Sequence, residues 1–280
     1  MLIFPNAKIN LGLSVVSKRD DGYHNIETVF YPIPMLDALE VIEKKGDEGV
    51  EFTTSGLEIK ASKENNLCLR AWEVVKADYP ALPPVSIHLH KAIPIGGGIG
   101  GGSSDGAFML KLLNEKFKLG ISPDKLLEYA LQLGSDCPFF ILNTPVIASG
   151  RGEEMQSIDI SLSSYTLVLV HPGIQVSTAA AFSGIIPSRK QKAIRDIIQQ
   201  PASTWKNELI NDFEDTIFPK YPQLHSIKES LYDHGAIYAS MTGTGSCLYG
   251  LFEKNESAEK FMKIGNEFGV RSFLLGVRSC

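Results

Sequence analysis

Apolar and polar residues alternate through much of the first third of the chain. "AKINLGLSVV", beginning at Ala7, and "VSIHLHKAI", beginning at Val85, both carry the period-two pattern of β-strands, and the second places Val85, Ile87 and Leu89 on one face. Between them "LDALEVIEK" is a mixed strand-type run, and "SKRDDGYHNI" is a polar loop rich in turn residues. The period then changes. "SSDGAFMLKLLNEKF" spaces Phe108, Leu112 and Leu113 as a helix does, which predicts a helix that begins where a run of glycines ends, with Ser103 or Ser104 as its N-cap. "SPDKLLEYALQLG" predicts a second helix, with Ser122 as N-cap, Pro123 in the first turn and Gly134 as the stop. The texture shifts again after residue 155. "YTLVLVHPG" reads as a buried strand, "KNELINDFEDTIF" and "LHSIKESLYDHG" as helices, and "IYASMTGTGSCLYGLFE" as two strands joined by a Gly/Thr/Ser turn. "NESAEKFMKIGNEFG" reads as a helix and "VRSFLLGV" as the closing strand. That order is α+β, with strands too close together for a doubly wound parallel sheet. Neither an internal repeat nor a low-complexity segment interrupts it.

The stretch "IPIGGGIGGGSSDGA" holds six glycines within the seven positions from Gly96 to Gly102. Each costs roughly 0.5–1 kcal/mol relative to Ala inside regular structure, so a cluster belongs where backbone takes positive φ or closely approaches something else. A flexible linker would have polar, Ser-rich flanks. Here the flanks are an alternating strand and an amphipathic helix, and a helix N-terminus offers free N–H groups and the positive end of its dipole to a phosphate. A structural tight turn is the alternative. The Walker A pattern is absent, because Gly102 is followed directly by Ser103 rather than by Lys. Gly96, Gly98 and Gly101 satisfy the dinucleotide fingerprint only as any glycine run would, and no βαβ unit follows.

Composition narrows the class. With 280 residues and 44% hydrophobic content the chain can bury a large core, and a net charge of -5 without any long basic run argues against a nucleic-acid or anionic-membrane surface. Cys68, Cys137, Cys247 and Cys280 are far apart and form no CxxC pair, so neither a zinc site nor a disulfide framework is expected. "MLIFPNAKINLGL" is broken by Pro5, Asn6, Lys8 and Asn10 before a signal-peptide core develops, and no apolar run is long enough to span a bilayer. The expectation is a soluble, cytoplasmic protein.

Five stretches together carry a resemblance: "AKINLGL", "DGYHNIETVF", "PIGGGIGGGSS", "LGSDCPFF" and "MTGTGSCLYG", in that order between about residue 5 and residue 250. They resemble the GHMP kinases, the family of galactokinase, homoserine kinase, mevalonate kinase and phosphomevalonate kinase. The resemblance implies a two-lobed α+β fold, with residues 1–155 as the N-terminal domain carrying the ATP loop and 156–280 as the C-terminal domain. It implies transfer of the γ-phosphoryl of ATP, with Mg²⁺, to a small-molecule alcohol. Sharpened by "AKINLGL", "DGYHNIETVF", "LGSDCPFF" and "MTGTGSCLYG", the resemblance implies that this alcohol is the 2-hydroxyl of a cytidine-diphosphate-linked methylerythritol of the non-mevalonate isoprenoid route. Another alcohol of the homoserine or mevalonate type, or a non-catalytic nucleotide-binding module, are the alternatives.

The same resemblance suggests individual roles. Pro94, Ile95, Gly96, Gly97, Gly98, Ile99, Gly100, Gly101, Gly102, Ser103 and Ser104 would hold the ATP phosphates, and Asn66, Leu67 and Lys91 would lie near adenine. Asp136 would accept the hydroxyl proton; spacing alone would make it an ordinary helix cap. Lys8, which by itself reads as a solvated strand lysine, would be the partner that keeps Asp136 ionised and steadies charge on the transferring group. Asn10 shares its strand face and would help hold substrate. Tyr23 and His24, in isolation a loosely packed pair in a turn, would meet the cytosine, with Phe182 on its opposite face and Thr178 nearby. Asp105 stands where the family frequently has Asn, and the magnesium ligands stay open.

Overall fold

A computed structural model describes residues 1–46, 49–59, 63–187, 192–265 and 271–276. In chain order these form β1 (Leu2–Ile3), β2 (Asn6–Lys18), β3 (His24–Leu36), β4 (Ala38–Glu43), β5 (Val50–Gly56), α1 (Leu67–Asp78), β6 (Val85–Lys91), α2 (Gly101–Phe117), α3 (Pro123–Leu133) and α4 (Cys137–Leu142). There follow β7 (Val146–Ser149), β8 (Glu154–Ser157), β9 (Thr166–His171), α5 (Thr178–Phe182), α6 (Ile194–Ile198), α7 (Phe213–Ile217), α8 (Pro222–Asp233), β10 (Tyr238–Met241), β11 (Leu248–Phe252), α9 (Asn255–Gly265) and β12 (Arg271–Gly276). The fold is α+β, as the order of patterns implied.

The chain divides into two units, and neither is a single stretch. One comprises Met1–Ala7, Met35–Ile95 and Gly100–Asn143; the other comprises Lys8–Pro34, Gly96–Ile99 and the chain from Thr144 onward. The division therefore follows a different course from a single cut after residue 155. In the first unit the sheet order is β1-β4-β6-β5, with β5 parallel to β6 and the other pairs antiparallel, and α1 to α4 complete it. Strand β6 buries Val85, Ile87 and Leu89 as the alternation predicted, and the same period carries Lys91 to the buried face. Helix α3 has the expected ends: Ser122 Oγ accepts from the Lys125 amide, Pro123 opens the helix and Gly134 closes it.

The second unit holds most of β2 and β3 in a sheet ordered β2-β3-β7-β8, and a second antiparallel sheet ordered β10-β11-β9-β12. Its core gathers Leu13, Val15, Val168, Val170, Phe213, Ile217, Leu231, Met241, Leu248 and Phe252. Strand β2 departs from its pattern, since every residue from Asn6 to Val15 is buried. Alternation predicts one wet face; here both faces are covered, and Lys8 and Asn10 on one of them are hydrogen-bonded within the protein.

The stretch "KNELINDFEDTIF" is not one helix. A 3₁₀ segment, Ala202–Asn207, and the short α7 flank an extended piece in which Asn211 pairs with Leu13. Asn211 Nδ2 donates to the carbonyls of Met241 and Gly243 at 2.7 and 2.9 Å, and Asp212 Oδ2 accepts from the Val15 amide at 2.8 Å. These long-range hydrogen bonds override a local preference for helix that is worth only about 0.5 kcal/mol per residue. Cys68, Cys137 and Cys247 are buried free thiols; Cys280 lies outside the described residues. No helix among the described residues is long and apolar enough to cross a membrane.

Candidate active site

The glycine stretch ends β6, turns, and becomes α2. Gly96, Gly98 and Gly100 take φ of +76, +77 and +74°, a region open to glycine and costly for other residues. At Gly98 space is as restrictive as torsion: a Cβ there would lie 2.2 Å from the Thr242 carbonyl oxygen. The turn is tied to its surroundings by the Lys8 amide on the Ile99 carbonyl (3.0 Å), the Cys247 amide on the Gly97 carbonyl (3.1 Å) and Thr242 Oγ1 on the Gly98 carbonyl (3.3 Å). Pro94 and Ile99 are buried, whereas Ile95 is 43% exposed.

Helix α2 begins earlier than the sequence implied, at Gly101, with Gly100 as its N-cap and no side-chain cap. Ser103 and Ser104 are therefore first-turn residues, not caps, and the leading amides are not taken by a capping side chain. Such a terminus can accept phosphate oxygens. At Gly102 nothing lies within 4 Å of an added Cβ, so this backbone faces open space.

On β2, Lys8 is 3% exposed. Its Nζ donates to Asn10 Oδ1 at 2.6 Å and stands 4.8 Å from the centroid of the Phe30 ring. A lysine in such surroundings is a buried, directed charge, unlike the solvated strand lysine that its isolated pattern suggests. Asn10 itself is 1% exposed. Its Oδ1 also accepts from the Gly243 amide (3.0 Å) and shares the single Thr242 hydroxyl proton (3.2 Å) with the Gly98 carbonyl, and its Nδ2 donates to Thr28 Oγ1 (3.0 Å). Asn10 thus orients Lys8 and the turn after β10.

Within the first unit, Lys91 Nζ pairs with Asp105 Oδ2 at 2.7 Å and with Asp37 Oδ2. Asp37 Oδ1 accepts the amides of Ala92 (2.6 Å) and Ile93 (2.8 Å), which fixes the chain where it enters the glycine turn. The ammonium lies under the start of α2: a Cβ on Gly101 would be 3.0 Å from Lys91 Nζ. Burial, with the neighbouring Asp37 adding to it, moves the Asp105 carboxyl up to about 8 against the opposing pull of Lys91, and its Oδ1 and Ser104 Oγ have no hydrogen-bond partner. Lys91 is committed to this ion cluster rather than presented to a base. Asn66 caps α1 through Oδ1, which accepts from the amides of Cys68 (2.9 Å) and Leu69 (3.4 Å), and Leu67 packs against α2 beside Gly106.

Asp136 occupies the N-cap position of α4, yet its side chain makes no capping hydrogen bond to that helix. The next residue, Cys137, has its thiol pushed up to about 12 by burial while Ser103 pulls it down, so α4 starts beside the first turn of α2. Among the described residues no three His, Cys, Asp or Glu side chains gather to hold a metal ion. No residue is assigned to magnesium here, and Asp105 has one oxygen already on Lys91.

The "DGYHN" loop ends in β3. Tyr23 is 54% exposed, with the Arg151 guanidinium 4.9 Å from its ring centroid. His24 stacks on Phe182, centroids 4.8 Å apart and planes at 23°, and Phe182 meets Phe213 edge-on at 4.8 Å. Burial, then the charge of Lys18, keeps His24 below its ordinary pKa, so its ring is neutral near pH 7. Thr178 opens α5 one turn before Phe182, on the same face and exposed. The aromatic groups thus arrive as two pairs, His24 with Phe182 and Tyr23 with Arg151.

Sequence reasoning missed Asp37, Arg151, Asn211 and Thr242. "MTGTGSCLYG" signalled a turn without saying what it would hold, and nothing local marks Asn211 as the anchor of that turn.

The chain matches two family models, "GHMP kinases N terminal domain" over residues 66–144 and "GHMP kinases C terminal" over residues 190–271. It belongs to the GHMP kinases. A narrower kinship follows: it is 51% identical to the 4-diphosphocytidyl-2-C-methyl-D-erythritol kinase of Parabacteroides distasonis, over 91% of this chain and 92% of that one. It is 52% identical to the enzyme of the same name from Bacteroides fragilis, over 93% and 95%. A crystal structure of 4-(cytidine 5'-diphospho)-2C-methyl-D-erythritol kinase superposes with a TM-score of 0.85 at 28% identity, covering 98% of both chains. Mevalonate kinase of Methanococcus jannaschii shares the fold, with a TM-score of 0.74 at 16% identity.

Proposed function

We infer that this chain transfers the γ-phosphoryl group of ATP to the 2-hydroxyl of 4-diphosphocytidyl-2-C-methyl-D-erythritol, a step in making isoprenoid precursors. The near-full-length kinship with enzymes of that name carries this reading. The homoserine and mevalonate alternatives share the fold alone, and a non-catalytic module would not need a directed buried lysine at position 8.

Phosphoryl transfer is mostly positioning and charge stabilisation. The glycine turn and the amides that open α2 receive the ATP phosphates, and the Asp37–Lys91–Asp105 cluster fixes the ends of that turn. Lys8, aimed by Asn10, steadies negative charge as the phosphoryl group moves. Asp136 accepts the acceptor hydroxyl proton while that oxygen forms its bond to γ-phosphorus and ADP departs. Tyr23, His24, Thr178 and Phe182 receive the cytosine end, and a neutral His24 supplies both a donor and an acceptor to the base edge. Magnesium, which ATP chemistry implies, neutralises phosphate charge when bound.

A coupled assay of ADP release tests the reading. Release is expected with the cytidyl substrate and not with mevalonate or homoserine. ADP release with either of those at a comparable kcat/KM, or none with the cytidyl substrate, overturns it.

A further inference from the structure

Tyr23 lies in an exposed turn, where an aromatic ring is ordinarily free to swing. Its backbone is fixed: the amide donates to Asp21 Oδ1 at 3.1 Å, and the carbonyl accepts from the Arg19 amide at 2.8 Å. Its ring is met by Arg151, from the tip of the hairpin between β7 and β8. That tip is held in turn, because the Ile26 amide donates to the Gly150 carbonyl at 2.8 Å. Glu153 accepts the Arg151 amide on Oε2 and its Nε–H on Oε1 at 3.4 Å. The Arg151 and Glu153 side chains are 30% and 20% exposed, so the guanidinium is held rather than loose.

We propose that Arg151 is a specificity-determining positioning residue: clamped by Glu153, it covers one face of the Tyr23 ring and presents the other face, already ordered, to the pyrimidine of the substrate. A planar cation over a tyrosine face is attracted by the ring quadrupole, and its planarity lets it act as a flat backing. Ordering the ring in advance removes a cost that base stacking would otherwise bear. Phe182 is likewise held by neighbours in this chain, stacked on His24 and edge-on to Phe213. The Glu153 tie also balances the charge of Arg151 and directs it to the ring instead of to a phosphate. This inference rests on the placement of cytosine at Tyr23 proposed above.

The test is a double-mutant cycle of steady-state kinetics on the full chain, with R151L, Y23A and the double variant, each first checked by its melting curve. R151L is expected to raise KM for 4-diphosphocytidyl-2-C-methyl-D-erythritol about three- to tenfold, with kcat and the ATP KM unchanged. In the Y23A background the same change should add less than about twofold, since the ring it supports is gone. An equal rise in both backgrounds would mean that Arg151 touches the substrate directly, and would overturn the proposal. So would an unchanged KM in R151L when Y23A raises it. If Y23A itself leaves KM unchanged, the cytosine placement has failed, and this inference fails with it. Should R151L fold poorly, R151K runs the same cycle, with a smaller rise that again disappears in Y23A.

Discussion

Gly98 and Thr242 meet backbone to backbone, so closely that a Cβ on Gly98 would stand 2.2 Å from the Thr242 carbonyl oxygen. A side chain at 98 therefore collides with the protein before it meets any nucleotide, and positive φ adds strain. Gly98→Ala is expected to lower stability by about 1–3 kcal/mol and to weaken ATP binding together with it. Gly102 separates the two effects, because its Cβ would enter open space at the first turn of α2. Gly102→Ala should gain about 0.5–1 kcal/mol of helix preference while raising the ATP KM on the order of tenfold. Melting curves and ATP titrations on both variants check this. An unchanged ATP KM in Gly102→Ala would remove the phosphate cradle from this turn.

Tyr23 and Phe182 should behave differently despite a shared role. Tyr23 is 54% exposed, so Tyr23→Ala is expected to leave the melting temperature alone and to weaken the cytidyl substrate by about 1–3 kcal/mol, the scale of one base stack. Phe182 packs on His24, on Phe213 and on the second unit's core, so Phe182→Ala should lose stability as well. The ATP KM should stay fixed in both. Kinetics against each substrate in turn, alongside thermal melts, distinguish substrate binding from packing.

Much of this was legible in the chain because local rules carried it. Period two on β6 placed Val85, Ile87 and Leu89 inside, and Ser122, Pro123 and Gly134 fixed α3 at both ends. The same period, extended one step further, buries Lys91, but no local rule says that Asp37 and Asp105 will meet it from elsewhere in the chain. The glycine turn and the turn at Thr242–Gly245 were both visible, while the contact between them and the anchor at Asn211 depend on long-range hydrogen bonds. Asn10 shows the limit of face arguments: it shares a strand face with Lys8, yet four hydrogen bonds of its side chain lie within the protein. Arg151 was silent because a cation over an exposed ring leaves no periodic trace.

The ion cluster under α2 makes stability depend on pH in a defined direction. Two carboxylates share Lys91, and Cys68, whose thiol is raised by burial and then by Asp105, packs close enough to feel them. Asp37 also accepts two amides, which leaves Asp105 as the carboxyl moved up to about 8. An unfolded Asp titrates near about 3.9, so the folded state binds this proton more tightly. The associated stability is present below that unfolded value and is lost as pH rises towards the folded one. Asp105→Asn keeps the shape and removes the titration. Its stability relative to wild type should therefore climb from about pH 5 to about pH 8 and then level, by more than about 1 kcal/mol in total. Urea midpoints for the two proteins across that range decide it, and parallel curves would refute the assignment.

Asp136 sits where a helix cap would, and its side chain does not cap. A capping role and a proton-accepting role diverge sharply under one substitution. Asn caps about as well as Asp, so Asp136→Asn would be silent if the position served only to start α4. If Asp136 receives the hydroxyl proton, the amide keeps the shape and loses the basicity, because its nitrogen bears no proton-accepting lone pair and its oxygen is far less basic than a carboxylate. The transfer step should then slow by about 10²–10⁴, with both substrates still bound and the melting temperature nearly unchanged. Single-turnover kinetics at saturating ATP and cytidyl substrate read that step alone, free of product release. A rate within a few-fold of wild type would take Asp136 out of the chemistry. A slow step accompanied by a large fall in melting temperature would instead trace the loss to α4, whose first residue, Cys137, lies beside Ser103 in the first turn of α2.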